Sequence, residues 1–266
     1  MSQPFPDGNA PHSLRPADPA NQYDAADEDY VRYWDGRDYE HGAETIAVKR
    51  LLGEMSCAHA ADVGGGFGRL SLLLEQYADA VTLLDPSQKQ LDAAAHHLKG
   101  HPRIRPQLMR SGALGLPDSC VDLLTMIRVM HHLPDPQPTL REISRVLRPG
   151  GTAIIEVANL THAVNKVRYL VKLQRPPRDP VDIRSADKRK ESGIPFVNHH
   201  PDTVTSQFAA VGLTVDRKLS VSNLRSARLK RALPARAVLA AERTLQAPLA
   251  SLDFGPSLFF LLRKNS

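Results

Sequence analysis

The 266 residues, 42% hydrophobic and 24% charged, suffice for one sizeable core and have the composition of a soluble globular protein. Two cysteines without motif spacing, Cys57 and Cys120, suggest neither a disulfide framework nor a zinc site and fit a reduced, cytoplasmic setting. The net charge of +5 is uneven: residues 1–160 carry 15 Lys/Arg against 21 Asp/Glu, and residues 161–266 carry 19 against 8. The basic half is therefore either a solvated surface or a face for an anionic substrate, a nucleic acid or a membrane.

Residues 1–25, dominated by Pro, Asp, Asn and Ala, read as a disordered tail that lacks the basic and apolar regions of a signal peptide. No apolar run reaches the ~20 residues of a membrane span, so integral membrane contact is not expected. From residue 43 strand-like and helix-like pieces alternate: helix over 43–52, strand 58–63, helix 68–78, strand 80–85, and helix 86–100 with Ser87 as its N-cap. A weak strand near 104–109 precedes strand 121–127, helix 136–147 and strand 152–159. Val/Ile/Leu-rich strands alternating with helices imply an α/β fold, a parallel sheet with helices on both faces.

After residue 160 the pattern loosens. A helix over 161–174 is followed by a charged, Pro-bearing stretch, so 161–200 reads as an excursion or lid at a substrate pocket. Helix 201–212, strand 213–222, helices on either side of Pro234 and a last strand 256–264 complete the domain over 26–266.

The chemistry concentrates in ADVGGGFGRL, residues 61–70. Glycines between a strand and a helix let a ligand approach backbone N–H groups. A phosphate-binding P-loop needs Gly-Lys-Ser/Thr, which is absent, and a dinucleotide fingerprint needs a third glycine where Arg69 stands. What remains is Asp62-x-Gly64-x-Gly66-x-Gly68, an acid-led loop that would repel a pyrophosphate and suits a cationic ligand bearing an ammonium.

A second acid, Asp85, ends the next strand 23 residues on, where it is either a helix cap beside Pro86 or the acceptor of two ribose hydroxyl bonds. A third element, residues 116–157, holds Asp122 at a strand start, HHLPD at 131–135 and LRPGG at 147–151. Together these resemble the class I S-adenosylmethionine-dependent methyltransferases of the ubiquinone/menaquinone-biosynthesis-like (type 11) family, over roughly residues 40–160. The resemblance implies a Rossmann-like, doubly wound seven-stranded sheet with its last strand antiparallel. It implies S-adenosyl-L-methionine as cofactor, with Asp62, Gly64, Gly65, Gly66 and Gly68 along its methionine and ribose portions and Asp85 and Pro86 at the ribose. The family often places an acid after the third strand to bind adenine; here Ser111, Gly112 and Ala113 stand there, so a hydroxyl or backbone contact would replace it.

On the acceptor side the candidates are His131, Arg128 and Tyr39, the backbone of Arg128 also being placed to meet the methionine part; no general base is assigned. His131 and His132 lack further partners at metal-ligand spacing, so no metal is expected, and packing is the plain alternative for them. His199 and His200 read as a helix-entry feature, and Tyr33, Trp34, Arg37 and His41 either staple the first helix or fold over the site. Arg225, Arg228, Lys230, Arg231 and Arg236 are a solvated helix face or an anion-binding one.

Methyl transfer to a small molecule is the expected activity. A non-catalytic cofactor-binding or partner subunit is the alternative, as is an RNA or DNA methyltransferase, disfavoured because IRVMHHLPD stands where amino-methylating enzymes carry Asn/Asp-Pro-Pro-Tyr/Phe.

Overall fold

The computed structural model describes residues 24, 30–109, 112–184 and 195–265. The tail expected over 1–25 lies outside them apart from Asp24, as does Ser111. In chain order the elements are α1 (Tyr30–Tyr33), α2 (Asp38–Leu52), β1 (Cys57–Val63), α3 (Ser71–Leu74), β2 (Ala78–Asp85), α4 (Gln88–His97), β3 (Ile104–Leu108) and β4 (Val121–Met126). Then come α5 (Gln137–Val146), β5 (Leu147–Ala158), α6 (Ala163–Val171), β6 (Val181–Asp182), β7 (Val197–Asn198), α7 (Pro201–Ala210) and β8 (Leu213–Val221). Helices α8 (Ala227–Ala232) and α9 (Ala235–Leu245) and strand β9 (Ser257–Lys264) close the chain.

Seven strands form one sheet in the order β3-β2-β1-β4-β5-β9-β8. The first four joins are parallel, and β9 runs antiparallel between β5 and β8, pairing Ile155 with Phe260 and Leu219 with Phe259. The expected Rossmann-like sheet, last strand included, is present. Its strands are apolar on both faces because helices cover both. Ala60, Leu123, Ile154 and Phe259 look toward α2, α4 and α9, while their neighbours Ala61, Leu124, Ile155 and Phe260 look toward α5 and α7. Each fully buried Leu, Ile or Phe contributes roughly 1.5–3 kcal/mol, so the two layers dominate the stability. Helix α5 shows how the sequence specifies this: Leu140, Ile143 and Val146 recur at helical spacing and are all buried. Among the helices of nine or more residues, α6 is the exception, with no buried residue.

Several boundaries differ from the sequence reading; α2, for one, starts at Asp38 rather than 43. The helix expected over 68–78 is only Ser71–Leu74, because the chain must turn by Tyr77 to enter β2 at Ala78. Strand β5 starts at Leu147 rather than 152, since the LRPGG segment is extended and pairs Leu147 with Val121 across a register shift. Ser87 caps α4 as expected, its hydroxyl accepting from the Gln90 N–H. No helix among the described residues is long and apolar enough to cross a membrane.

Candidate active site

The parallel strands β1, β2, β4 and β5 all end at one edge of the sheet, and the sequence-predicted residues gather there, as open α/β sheets place ligands. Asp62 at the end of β1 is 2% exposed. Its carboxylate accepts from the Ser71 hydroxyl and the Thr125 hydroxyl, each at 2.7 Å, so it ties the glycine turn to α3 and β4. Burial pushes its carboxyl above the usual range.

The glycines are required first by the protein itself. Gly64 has φ +68°, and a Cβ there would lie 2.3 Å from Val129 Cγ2; at Gly68, φ +90°, it would lie 2.8 Å from Leu98 Cδ1. Gly66 instead turns its N–H toward Asp85. The Asp85 carboxylate, 7% exposed, accepts from Gly66 N–H and from Ser87 N–H, both at 2.9 Å. It thus joins the glycine loop to the β2–α4 turn at Pro86. Burial raises its pKa to about 6 against the pull of those two N–H groups, with Asp62 and Asp24 raising it further. Asp24 caps the same corner, accepting from the Ser87 hydroxyl at 2.5 Å and from Lys89 N–H at 3.2 Å.

Gly112 and Ala113 are exposed in the loop that leaves β3, whose last residue Leu108 pairs with Asp85.

On the other side lies the segment before α2, which the sequence left as either a helix staple or a fold over the site, with Trp34 over Arg69 and Arg128. Arg69 donates to Glu44 at 2.6 Å and to His41 Nδ1 at 2.6 Å, and Arg128 donates to the second oxygen of Glu44 at 2.6 Å. The indole of Trp34 lies 3.7 Å from the Arg69 guanidinium carbon and 4.7 Å from that of Arg128. His41 is held below its ordinary pKa by burial and by Arg69, so it accepts as a neutral ring. Arg128 has φ +61°, and its N–H donates to the buried carboxylate of Glu156 at 3.0 Å. The cleft bounded by Asp62, Gly64, Gly65, Phe67, Arg69 and Arg128 encloses about 20 Å³, room for a water molecule. The aromatic-rich approach to α2 was a signal for this cap, but its partners lie far off in sequence.

His131 is buried in the turn after β4, its ring 4.0 Å from that of His132 and 4.4 Å from that of Phe196. Burial, and secondarily the charges of His132, Arg128 and His199, hold its pKa well below the usual 6.5. Tyr39 does not join this group. Its hydroxyl donates to Glu242 at 2.8 Å and accepts from Leu224 N–H at 2.9 Å, joining α2 to α9. His199 is likewise structural, bonded to the Met130 carbonyl at 2.9 Å, and His200 caps α7. No cluster of three or more metal-ligating side chains occurs among the described residues.

Comparison with known proteins decides between the nucleotide-binding loops this edge resembles. Residues 61–155, from the glycine loop through most of β5, match the family model for a methyltransferase domain. Over residues 61–155 the chain is similar to that methyltransferase family. It is 32% identical over 102 residues to the ubiquinone/menaquinone biosynthesis C-methyltransferase UbiE of Rubrivivax gelatinosus, covering 38% of this chain and 40% of that one. It is 28% identical over 176 residues to a ubiquinone biosynthesis O-methyltransferase of Pseudomonas fluorescens, covering 61% and 74%. A crystal structure of a methyltransferase from Thermotoga maritima, 14% identical, shares the fold with a TM-score of 0.62 over 92% of this chain and 98% of that one. The first of these matches thus spans less than half of its relative's length. The methyltransferase domain contains Asp62, the glycine loop, Asp85, Arg128 and His131, whereas Trp34, Glu44 and the whole of α6 lie outside it.

Proposed function

We propose that the chain transfers a methyl group from S-adenosylmethionine to a small-molecule acceptor. The observation that carries this reading is Asp85, a buried carboxylate pinned by two backbone N–H groups beside the glycine loop, with lone pairs left for two hydroxyl donors. The donor set fits the rest of the cofactor. Arg69 and Arg128 supply guanidiniums for a carboxylate, and the loop after β3 flanks an adenine position. When bound, S-adenosylmethionine supplies an electrophilic methyl group on a sulfonium leaving group.

The protein then has to position the acceptor in line and exclude water. The Trp34–Arg69–Arg128 cap suits the second task, and it must part to admit the methionine portion into a space of about 20 Å³. His131, neutral and walled by Phe196, is the imidazole best suited to accept a proton from an acceptor hydroxyl. The quinone-biosynthesis roles named for the relatives favour a phenol or quinol as that acceptor.

The test is incubation with methyl-labelled S-adenosylmethionine and a panel of phenols, quinols and amines, with RNA and DNA as separate arms. Labelled phenol or quinol supports the reading. Label confined to nucleic acid, or none on any acceptor despite cofactor binding, overturns it in favour of the nucleic-acid or non-catalytic alternative.

A further inference from the structure

Helix α6 is solvent-exposed where every other long helix is packed. Val164, Val167, Leu170 and Val171, with Leu173 just beyond, are 56–93% exposed. At 100° per residue the four helical ones span an arc of about 120°. Lys166 borders that arc on one side, and Arg168 and Lys172 border it on the other. Asn165 and Tyr169 on the opposite face are part-covered, as is Ala163 in the first turn. Leu173 has φ +52°, the left-handed position that usually falls to glycine at a helix end, and it holds its side chain 93% exposed. Two further exposed apolar residues, Leu252 and Phe254, lie against the start of the helix: Lys166 Nζ donates to the Leu252 carbonyl at 2.5 Å and Ala163 N–H to that of Phe254 at 2.9 Å.

The surrounding charge is predominantly positive. Residues 157–178 contain Lys166, Arg168, Lys172, Arg175 and Arg178 and no Asp or Glu. Of the nearby acids, Asp202 pairs with Arg178 and Asp253 with Lys218, each at 2.7 Å, and Asp179 follows Arg178, which leaves Lys166, Arg168, Lys172 and Arg175 as the excess of positive charge beside the helix. An apolar stripe edged by lysine and arginine is the pattern of a helix that lies in the plane of a bilayer interface. We infer that α6 and the adjoining Leu252–Phe254 loop dock this protein onto an anionic membrane surface.

A second copy of the chain fits less well. A nine-residue helix is about 14 Å long, small for the roughly 800 Å² per partner of a stable interface, and two such faces would bring like charges together. The placement also has a use. Helix α6 starts five residues beyond the end of β5, at the sheet edge where the site opens, so an apolar acceptor held in the bilayer would be presented to that rim. The docking itself does not depend on the proposed reaction.

The experiment is co-sedimentation of the full chain with phosphatidylcholine vesicles, with and without phosphatidylglycerol, at low and high ionic strength. The inference expects binding only to the anionic vesicles, released by salt. Leu170→Asp with Val171→Asp should abolish it, and Arg168→Gln and Lys172→Gln should each weaken it about fivefold. All these positions are exposed, so the variants should melt within a few degrees of the parent and bind S-adenosylmethionine unchanged. Absence of vesicle binding, or binding undiminished in the Asp variants, overturns the inference. So does a dimer in analytical ultracentrifugation that the same Asp variants dissociate, which would assign the face to a second copy.

Discussion

The guanidinium of Arg69 stacks 3.7 Å from the indole of Trp34 while its other edge is bound to Glu44. A residue of the glycine loop is thereby clamped by the segment that precedes the first core helix, and Arg128 from the far side of the cleft shares both partners. A cation–π contact of this kind contributes about 0.5–2 kcal/mol, enough to hold a cap shut yet weak enough to open on the timescale of binding. Trp34→Ala should therefore raise the association rate of S-adenosylmethionine several-fold and lower amide protection over residues 30–44. Stopped-flow fluorescence and hydrogen exchange read both, and an unchanged association rate would show that the cap is not the gate.

The role proposed for Asp85 makes cofactor affinity depend on pH. A carboxylate can accept from two hydroxyl groups only when ionised, and this one titrates at about 6 rather than near 4. Affinity should be flat above pH 7 and fall as pH drops through 6, approaching tenfold per unit below it. The same upward shift means the folded chain binds more protons than the unfolded one between about pH 4 and 6, so this group's contribution to stability declines as pH rises through that window. In Asp85→Asn both dependences should vanish. Titrations at pH 5.5 and 7.5 distinguish the cases, and a parallel decline in parent and variant would place the titrating group elsewhere.

The glycine loop can be dissected by a double substitution. Gly64→Ala places a methyl 2.3 Å from Val129 Cγ2 on a backbone at φ +68°, so both overpacking and left-handed strain arise. The expected loss is about 2–5 kcal/mol. Adding Val129→Ala should recover the packing part and leave about 1–2 kcal/mol of strain. Urea unfolding measures both. No recovery in the double variant would mean that the clash is not with Val129.

Tyr39 and His131 should separate cleanly. Tyr39→Phe leaves the buried Glu242 carboxylate short of a donor and should cost about 1–3 kcal/mol in stability with cofactor affinity unchanged. His131→Asn should leave both stability and cofactor affinity nearly intact and reduce turnover of a hydroxyl acceptor about 10²–10⁴-fold. Because His131 stays neutral well below pH 6.5, the parent rate should show no step from it between pH 7 and 8. Lost cofactor binding in Tyr39→Phe, or full turnover in His131→Asn, would contradict these assignments.

Much of this was legible in the sequence because it is local. The order of strands and helices follows from apolar periodicity, and the loop and its two acids follow from spacing within residues 61–85. The short α3 was missed because the apolar run from Ser71 continues into β2, and periodicity does not say where one element yields to the next. The cap was left open as one of two readings, and its partners were missed for a different reason. It unites Trp34, Glu44, Arg69 and Arg128, which only the parallel sheet brings to one edge. The sequence did not show that Gly64 and Gly68 are also required by packing, since a Cβ at either would meet Val129 or Leu98. For α6 the amphipathic pattern was visible, but whether its apolar stripe faced the core or solvent was settled only by the packing.

The central claim is that Asp85 and the glycine loop hold S-adenosylmethionine. Calorimetric titration of the purified chain and of Asp85→Asn, with S-adenosylmethionine and with S-adenosylhomocysteine, tests it most directly. The account predicts micromolar binding of both ligands by the parent, and at least a tenfold loss for each in a variant that melts within a few degrees of it. A folded parent that binds neither ligand, or a variant that binds both as tightly as the parent, would contradict it.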